Sequence, residues 1–212
     1  MREPRGSRGA DDASQFNRLA RELKEDGIEL EPDVVSQDAE PILPRVIVKR
    51  PRKGFLHPAT KSDITSVLEF FGEQCYYGLD TIKLVQGSDN IASGAILLGR
   101  LEVPGTILLY DLPESPWVVN ERLADTQLLR LQEAGAKIEM LASGAQCRIE
   151  WSDVDLRNFY LFDVFMHEIG HHLIQQYKGK RGVRVARTRD HEHYASLFAK
   201  RCRQDYLSEQ PD

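Results

Sequence analysis

Two histidines and a glutamate between residues 167 and 171 are the side chains best suited to chemistry. The chain reads His167-Glu168-Ile169-Gly170-His171 there. Residues four apart on a helix project from one face, so His167 and His171 can both offer an imidazole nitrogen to a single zinc ion. Glu168 lies beside them, where its carboxylate can take a proton from a zinc-bound water. The spacing predicts a zinc-dependent hydrolytic site.

The segment that carries these residues predicts a buried helix. Residues 152–177 place apolar side chains on nearly every face of a 3.6-residue helix. Ser152, followed three residues later by Asp155, is typical of a helix start, and Lys178-Gly179 is typical of a helix end. Two histidines and a glutamate are costly to bury without a ligand, which favours a metal site over a chance match.

A catalytic zinc ion needs a third protein ligand, and the next predicted helix supplies the candidates. Residues 188–194 read TRDHEHY. On a helical wheel His191 lies roughly 20° from the centre of the core-facing side and Glu192 roughly 80° from it. Asp190 and His193 lie about 120° or more away. The choice narrows to Glu192 or His191, and this geometry alone does not favour Glu192.

At this point the sequence resembles the gluzincin metallopeptidases. HEIGHH is followed, 21 residues after His171, by Glu192 in the run EHYASLFA. This resembles the HExxHH and ExxAxxFA pattern of the compact, minigluzincin-like enzymes and of the ImmA/IrrE family. The two helices alone carry the resemblance. It implies a zincin-like fold, a Zn²⁺ ion bound by His167, His171 and Glu192, and Glu168 as the general base of a metallopeptidase.

The chain departs from the related patterns in places. Ser196 stands where many gluzincins carry an acid that orients the first histidine, so that role is either unfilled or falls to Asp163 or Asp190. Metzincins require a glycine and a third histidine after HExxH, whereas this chain has Ile174 and Tyr177 there. The glycines of the aspartate-ligand zincins are missing as well. These differences favour the gluzincin pattern over its relatives.

Several polar residues near the motif are candidates for supporting roles. Tyr194 and His191 are candidates to stabilise an oxyanion, as are Tyr177 and His193, and the sequence does not rank them. His172 faces another side of its helix from the two ligands, which favours a structural or ligand-supporting role over catalysis.

Charge and hydropathy limit the partners. The formal net charge of −5 argues against a dedicated nucleic-acid binder. Residues 178–189 carry six cations and no acid, which predicts a solvated loop or, alternatively, a contact for an acidic partner. No apolar run approaches the ~18 residues of a membrane span, and residues 1–12 lack the apolar centre of a secretory signal. We therefore expect a cytoplasmic protein that does not enter a membrane.

The remaining chain predicts an α+β, zincin-like domain with a small mixed sheet packed on the HExxH helix and the following glutamate helix. We expect the domain to span residues 45–207. Residues 1–44 are polar and predict a mostly disordered or loosely docked tail, and residues 208–212 a short second tail. The predicted strands are 81–85, 94–101, 106–110, 137–141 and 147–151, and the other predicted helices are 62–75, capped by Ser62, and 120–134, capped by Asn120. Cys75, Cys147 and Cys202 are odd in number and widely spaced, which predicts free thiols.

These observations predict a zinc metallopeptidase that makes limited cuts in a protein or peptide substrate. An edge strand within residues 94–110 is expected to lie beside the zinc and hold an extended peptide. Two alternatives stay open. One is a catalytically silent zinc-containing regulatory or interaction module, against which the intact Glu168 counts. The other is a zinc hydrolase of a non-peptide bond.

Overall fold

The computed structural model describes residues 42–87, 97–141, 146–177 and 188–209. These residues form a mixed α+β structure. Most of the predicted N-terminal tail and of the basic 178–189 run falls outside the described ranges. No helix within them is long and apolar enough to cross a membrane.

Nine short strands form three small sheets. The strands are β1 (Arg45–Val48), β2 (Phe55–Leu56), β3 (Thr81–Val85), β4 (Gly99–Glu102), β5 (Thr106–Tyr110), β6 (Leu112–Pro113), β7 (Trp117–Val119), β8 (Lys137–Met140) and β9 (Cys147–Glu150). The largest sheet has the order β1-β3-β5-β4, with β1, β3 and β5 parallel and β4 antiparallel to β5. β4 therefore lies at one edge of a mixed sheet.

Three helices lie between the strands along the chain, and the others follow the last strand. They are α1 (Lys61–Phe71), α2 (Glu73–Tyr76), α3 (Asp125–Glu133), α4 (Asp153–Asn158), a π-helical segment (Phe159–Met166), α5 (His167–Tyr177) and α6 (Arg189–Ser208). α4, the π-helical segment and α5 follow one another without a gap, as the predicted buried helix requires. Seven of the eight residues of the π-helical segment are buried. α5 packs against α6 and β4, so the edge strand and the second helix flank the HExxH residues.

Side-chain caps explain where the helices begin. The Ser152 hydroxyl accepts a hydrogen bond from the Asp155 N–H at 3.1 Å, and Thr188 caps α6 through the N–H of His191 at 3.3 Å. The predicted Ser62 cap is wrong. Thr60 caps α1, because it exchanges hydrogen bonds with Asp63 three residues later as a capping box.

Other predicted boundaries also shift. The helix predicted over 62–75 ends at Phe71, because Gly72 has a φ of 77° and breaks it. The helix predicted from Asn120 begins at Asp125. The hairpin predicted from the strands near 94–101 and 106–110 forms as β4 and β5. The three cysteines are buried free thiols, as predicted.

One buried ion pair ties the loop between β1 and β2 to the residue that follows β5. The Asp111 carboxylate is fully buried and accepts hydrogen bonds from the Arg52 guanidinium at 2.8 Å and from the Gly87 N–H at 2.8 Å. Burial alone would raise the pKa of Asp111, but these hydrogen bonds and the Arg52 charge outweigh it and hold that pKa below its usual value. The pair therefore stabilises the fold only while Asp111 is ionised.

Candidate metal centre

His167, His171 and Glu192 meet at one end of the contact between α5 and α6. The Nε2 atoms of the two histidines lie 3.2 Å apart. One carboxylate oxygen of Glu192 lies 3.4 Å from His167 Nε2, and the other lies 3.4 Å from His171 Nε2. Among the described residues, these three form the one group of His, Cys, Asp and Glu side chains that could hold a metal ion.

The separations fit a zinc ion. A tetrahedral site with Zn–N and Zn–O distances near 2.0–2.2 Å places neighbouring ligand atoms about 3.3–3.5 Å apart. The 3.2 Å between the two imidazole nitrogens is close to one edge of such a tetrahedron, and each carboxylate oxygen of Glu192 lies 3.4 Å from one of these nitrogens, so the carboxylate faces both imidazoles. Two neutral imidazoles with one carboxylate are also a donor set that catalytic zinc uses.

A close helix contact brings Glu192 within reach. A Cβ atom on Gly170 would lie only 2.9 Å from the Cα of Ala195, so glycine allows the backbones of α5 and α6 to approach this closely. Ala195 stands one helical turn after Glu192. The contact therefore places the first turn of α6, with Glu192, over the histidine face of α5. Sequence reasoning did not use Gly170, although a glycine inside a buried helix signals a close approach.

The Glu168 carboxylate contacts the edge strand, β4. It is 5% exposed, and its Oε2 accepts a hydrogen bond from the Leu101 N–H at 2.8 Å. Gly99 makes room for it, since a Cβ atom there would lie 3.2 Å from Glu168 Cγ. The strand thus fixes the carboxylate next to His167. A backbone donor of this kind cannot be identified from sequence alone.

The other candidate residues lie in different surroundings. His172 is 1% exposed and its Nε2 donates to the Tyr77 carbonyl at 2.9 Å. Burial lowers the pKa of His172, so the ring is neutral and structural at ordinary pH. Tyr194 is 5% exposed and its ring stacks on Phe198 in the core. His191 is half-buried in the first turn of α6.

Asp163, a candidate to orient His167, faces two arginines. Its Oδ2 lies 3.4 Å from Arg203 Nη1, and its Oδ1 lies 3.5 Å from Arg130 Nε. Ser196, at the position where gluzincins carry an acid, is exposed. Neither residue is among the ligand contacts described above.

A small cavity opens beside the edge strand, one helical turn beyond Glu168. Its volume is about 130 Å³, and its lining includes Leu101, Val103, His172 and Gln175. It lies between the end of β4 and the second half of α5. Glu168 and this cavity therefore both border Leu101 at the end of β4.

Comparison with known proteins adds no family to this description. No family model, no curated protein and no solved structure matches the chain significantly. The functional argument therefore rests on the geometry of the described residues.

Proposed function

We propose that this protein is a zinc-dependent metallopeptidase of the gluzincin type that makes limited cuts in a protein substrate. The observation that carries the proposal is the convergence of His167 Nε2 and His171 Nε2, 3.2 Å apart, with a Glu192 carboxylate that places one oxygen 3.4 Å from each of them. His167, His171 and Glu192 would hold the zinc ion. When bound, zinc supplies Lewis acidity and lowers the pKa of water at the site.

Glu168 is the proposed general base. It neighbours His167 in sequence and is not one of the three residues that could hold the metal ion. Its carboxylate is held by the Leu101 N–H. A carboxylate fixed there can accept a proton from the attacking water and then deliver it to the leaving amine. Its position supports catalysis, because a purely structural zinc site does not need this residue.

The edge of β4 that faces away from β5 suits an extended peptide. The Tyr110 N–H donates to the Leu98 carbonyl, which makes these two residues a hydrogen-bonded pair across β4 and β5. Antiparallel pairs alternate, so Gly99 and Leu101 direct their backbone groups away from β5. The Leu101 N–H reaches Glu168 in this direction. A substrate strand added at this edge would pass beside Glu168, and the adjoining cavity of about 130 Å³ has room for one of its side chains.

The decisive experiment compares wild type with Glu168→Gln. The substitution keeps the size of the side chain and its hydrogen bond but removes its basicity, so zinc content and melting temperature should stay near wild type. Turnover should fall by at least ~100-fold. Protein fragments in cell lysate, quantified by mass spectrometry, provide an assay that does not require the substrate to be identified first. A set of fragments that depends on Glu168 supports the peptidase, whereas identical fragments with both forms contradict it.

Ligand substitutions test the metal centre separately. Wild type should bind about one zinc per chain. His167→Ala, His171→Ala and Glu192→Ala should each release zinc, because each removes one of three protein ligands. His191→Ala is the matched control from the same helical turn and should retain it. Zinc retained by Glu192→Ala but lost by His191→Ala would replace this ligand set with three histidines.

A further inference from the structure

Asp163 and Arg203 form a contact between the ligand-bearing helices at a distance from the metal centre. Asp163 lies in the π-helical segment four residues before His167, and Arg203 lies on α6 eleven residues after Glu192. Eleven residues of α-helix span about 16 Å. We propose that this pair, supported by Arg130, is a positioning contact. It sets the register of α6 along the ligand helix, which consists of the π-helical segment and α5, and thereby places Glu192. The inference rests on the proposed zinc site.

Three contacts define the register of the two helices. Asp163 meets Arg203 at 3.4 Å, the Gly170 position meets Ala195, and His171 meets Glu192 at 3.4 Å. The first residue of these contacts rises in number from Asp163 to His171, whereas the second falls from Arg203 to Glu192. The helix α6 therefore runs antiparallel to α5. The middle contact sets how closely the helices approach. It involves only glycine and alanine, and the Asp163–Arg203 pair adds a directional contact that opposes sliding.

The arginines make that contact directional. Arg203 Nη1 lies 3.4 Å from Asp163 Oδ2, while its Nη2 donates to the Ala134 carbonyl at 3.2 Å. Arg130, on α3, bonds to the backbone carbonyl of Asp163 and pairs with its side chain. One guanidinium therefore links α6 both to the π-helical segment and to the end of α3.

The surroundings strengthen this pair relative to a surface ion pair. The Asp163 and Arg203 side chains are 21% and 22% exposed, so solvent screens them only partly. Burial raises the pKa of Asp163, and the charges of Arg130 and Arg203 oppose that rise. Loss of either arginine would leave a partly buried carboxylate without its full set of partners.

A zinc site is sensitive to register. A one-residue slip moves α6 by about 1.5 Å and turns it by about 100°, whereas zinc–ligand distances tolerate about 0.2 Å. The Glu192 side chain is 47% exposed, so packing around it does little to hold it in place. The Asp163–Arg203 contact instead holds the helix on which Glu192 stands.

The test measures zinc dissociation constants by competition with a chromophoric chelator. Asp163→Asn and Arg203→Met should each weaken zinc binding by about tenfold or more, the range seen when residues that orient metal ligands are removed. Arg148→Met is a matched control and should bind zinc like wild type. It removes an ion pair with Glu150, 2.9 Å long, that lies on β9 and not on the two helices. Asp163→Asn is nearly isosteric and guards against loss of folding in Arg203→Met.

A second control separates positioning from general destabilisation. Leu131→Ala removes a buried side chain from α3, which should lower the melting temperature of the protein. Its zinc affinity, measured below its melting transition, should remain that of wild type. Equal weakening in Leu131→Ala and Asp163→Asn would overturn the positioning role. Unchanged affinity in Asp163→Asn would overturn it while leaving the metal centre intact, whereas wild type that binds no zinc would overturn both.

Discussion

Gly170→Ala tests whether the close approach of α5 and α6 creates the metal centre. The new Cβ would lie 2.9 Å from Ala195 Cα and 3.2 Å from Ala195 Cβ. Carbon atoms in contact prefer about 3.5–4.0 Å, so the helices must separate by about 0.6–1.1 Å at this point. That displacement is several times the tolerance of about 0.2 Å in a zinc–ligand distance. Glu192, one turn from Ala195, moves with α6.

The expected loss follows from the cost of overpacking. Forcing the helices back to their native spacing costs about 1–3 kcal/mol, so zinc binding should weaken by about 5- to 150-fold. The stability of the metal-free protein should change less, because alanine is favoured over glycine within a helix by about 0.8–1.0 kcal/mol. Affinity and stability should therefore respond differently to Gly170→Ala.

The assay pairs chelator competition with thermal unfolding of the metal-free protein. Ser196→Ala is the control, because it lies one residue from Ala195 but is exposed, and it should match wild type in both measurements. A zinc dissociation constant for Gly170→Ala within twofold of wild type would refute the reasoning. It would mean that Glu192 reaches the histidines without this contact.

Three further predictions concern other parts of the chain. Arg52→Met should destabilise the fold by about 3–5 kcal/mol at pH 7 in urea unfolding, because it leaves the Asp111 carboxylate buried without its partner. Folding lowers the pKa of Asp111. The stabilising effect of the pair should therefore be complete above the ordinary aspartate pKa of the unfolded chain, and it should decline as pH falls through the lower pKa of the folded protein. An Arg52→Met variant as stable as wild type at pH 7 would contradict this. Gly99→Ala should push Glu168 aside and lower turnover with zinc content unchanged, and full activity would count against the role of the strand. A chain that begins at residue 41 should melt near the full-length temperature, because residues 1–40 offer little apolar surface, and a fall of many degrees would show that they belong to the core.

Local signals made the starts of α4 and α6 predictable. Ser152 and Thr188 both accept hydrogen bonds from the N–H three residues later, and that pattern depends only on neighbours in sequence. The Thr60 cap carries the same signal, since Asp63 completes its capping box. Ser62 competes with it in sequence because both residues are good caps. The segments around the metal motif were predictable for this reason.

The third ligand depends on contacts that a single-helix analysis does not contain. A helical wheel centred on the core ranks His191 above Glu192, yet the Glu192 carboxylate is the group that approaches both His167 and His171. The reason is that His167 and His171 meet α6 at the rim of the interface between α5 and α6. A side chain on α6 at this rim is half-exposed and does not point toward the core. The approach of Gly170 to Ala195 determines where that rim lies. Only the resemblance to gluzincins indicated Glu192 in advance.

The ligand helix has two regions that differ in their tolerance to changes in chain length. One is the π-helical segment at Phe159–Met166, and the other is α5. Hydrogen bonds from residue i to i+5 accommodate about one more residue per turn than those of an α-helix. Deleting one residue from this segment can be absorbed if the loose turns tighten into ordinary α-helix, which leaves the downstream residues in phase. An insertion or deletion between His167 and His171 has no such reserve, because each residue added to α5 rotates the second histidine by about 100°. Single-residue deletions within Phe159–Met166, Asp163 excepted, should therefore retain zinc binding, whereas a deletion between His167 and His171 should abolish it.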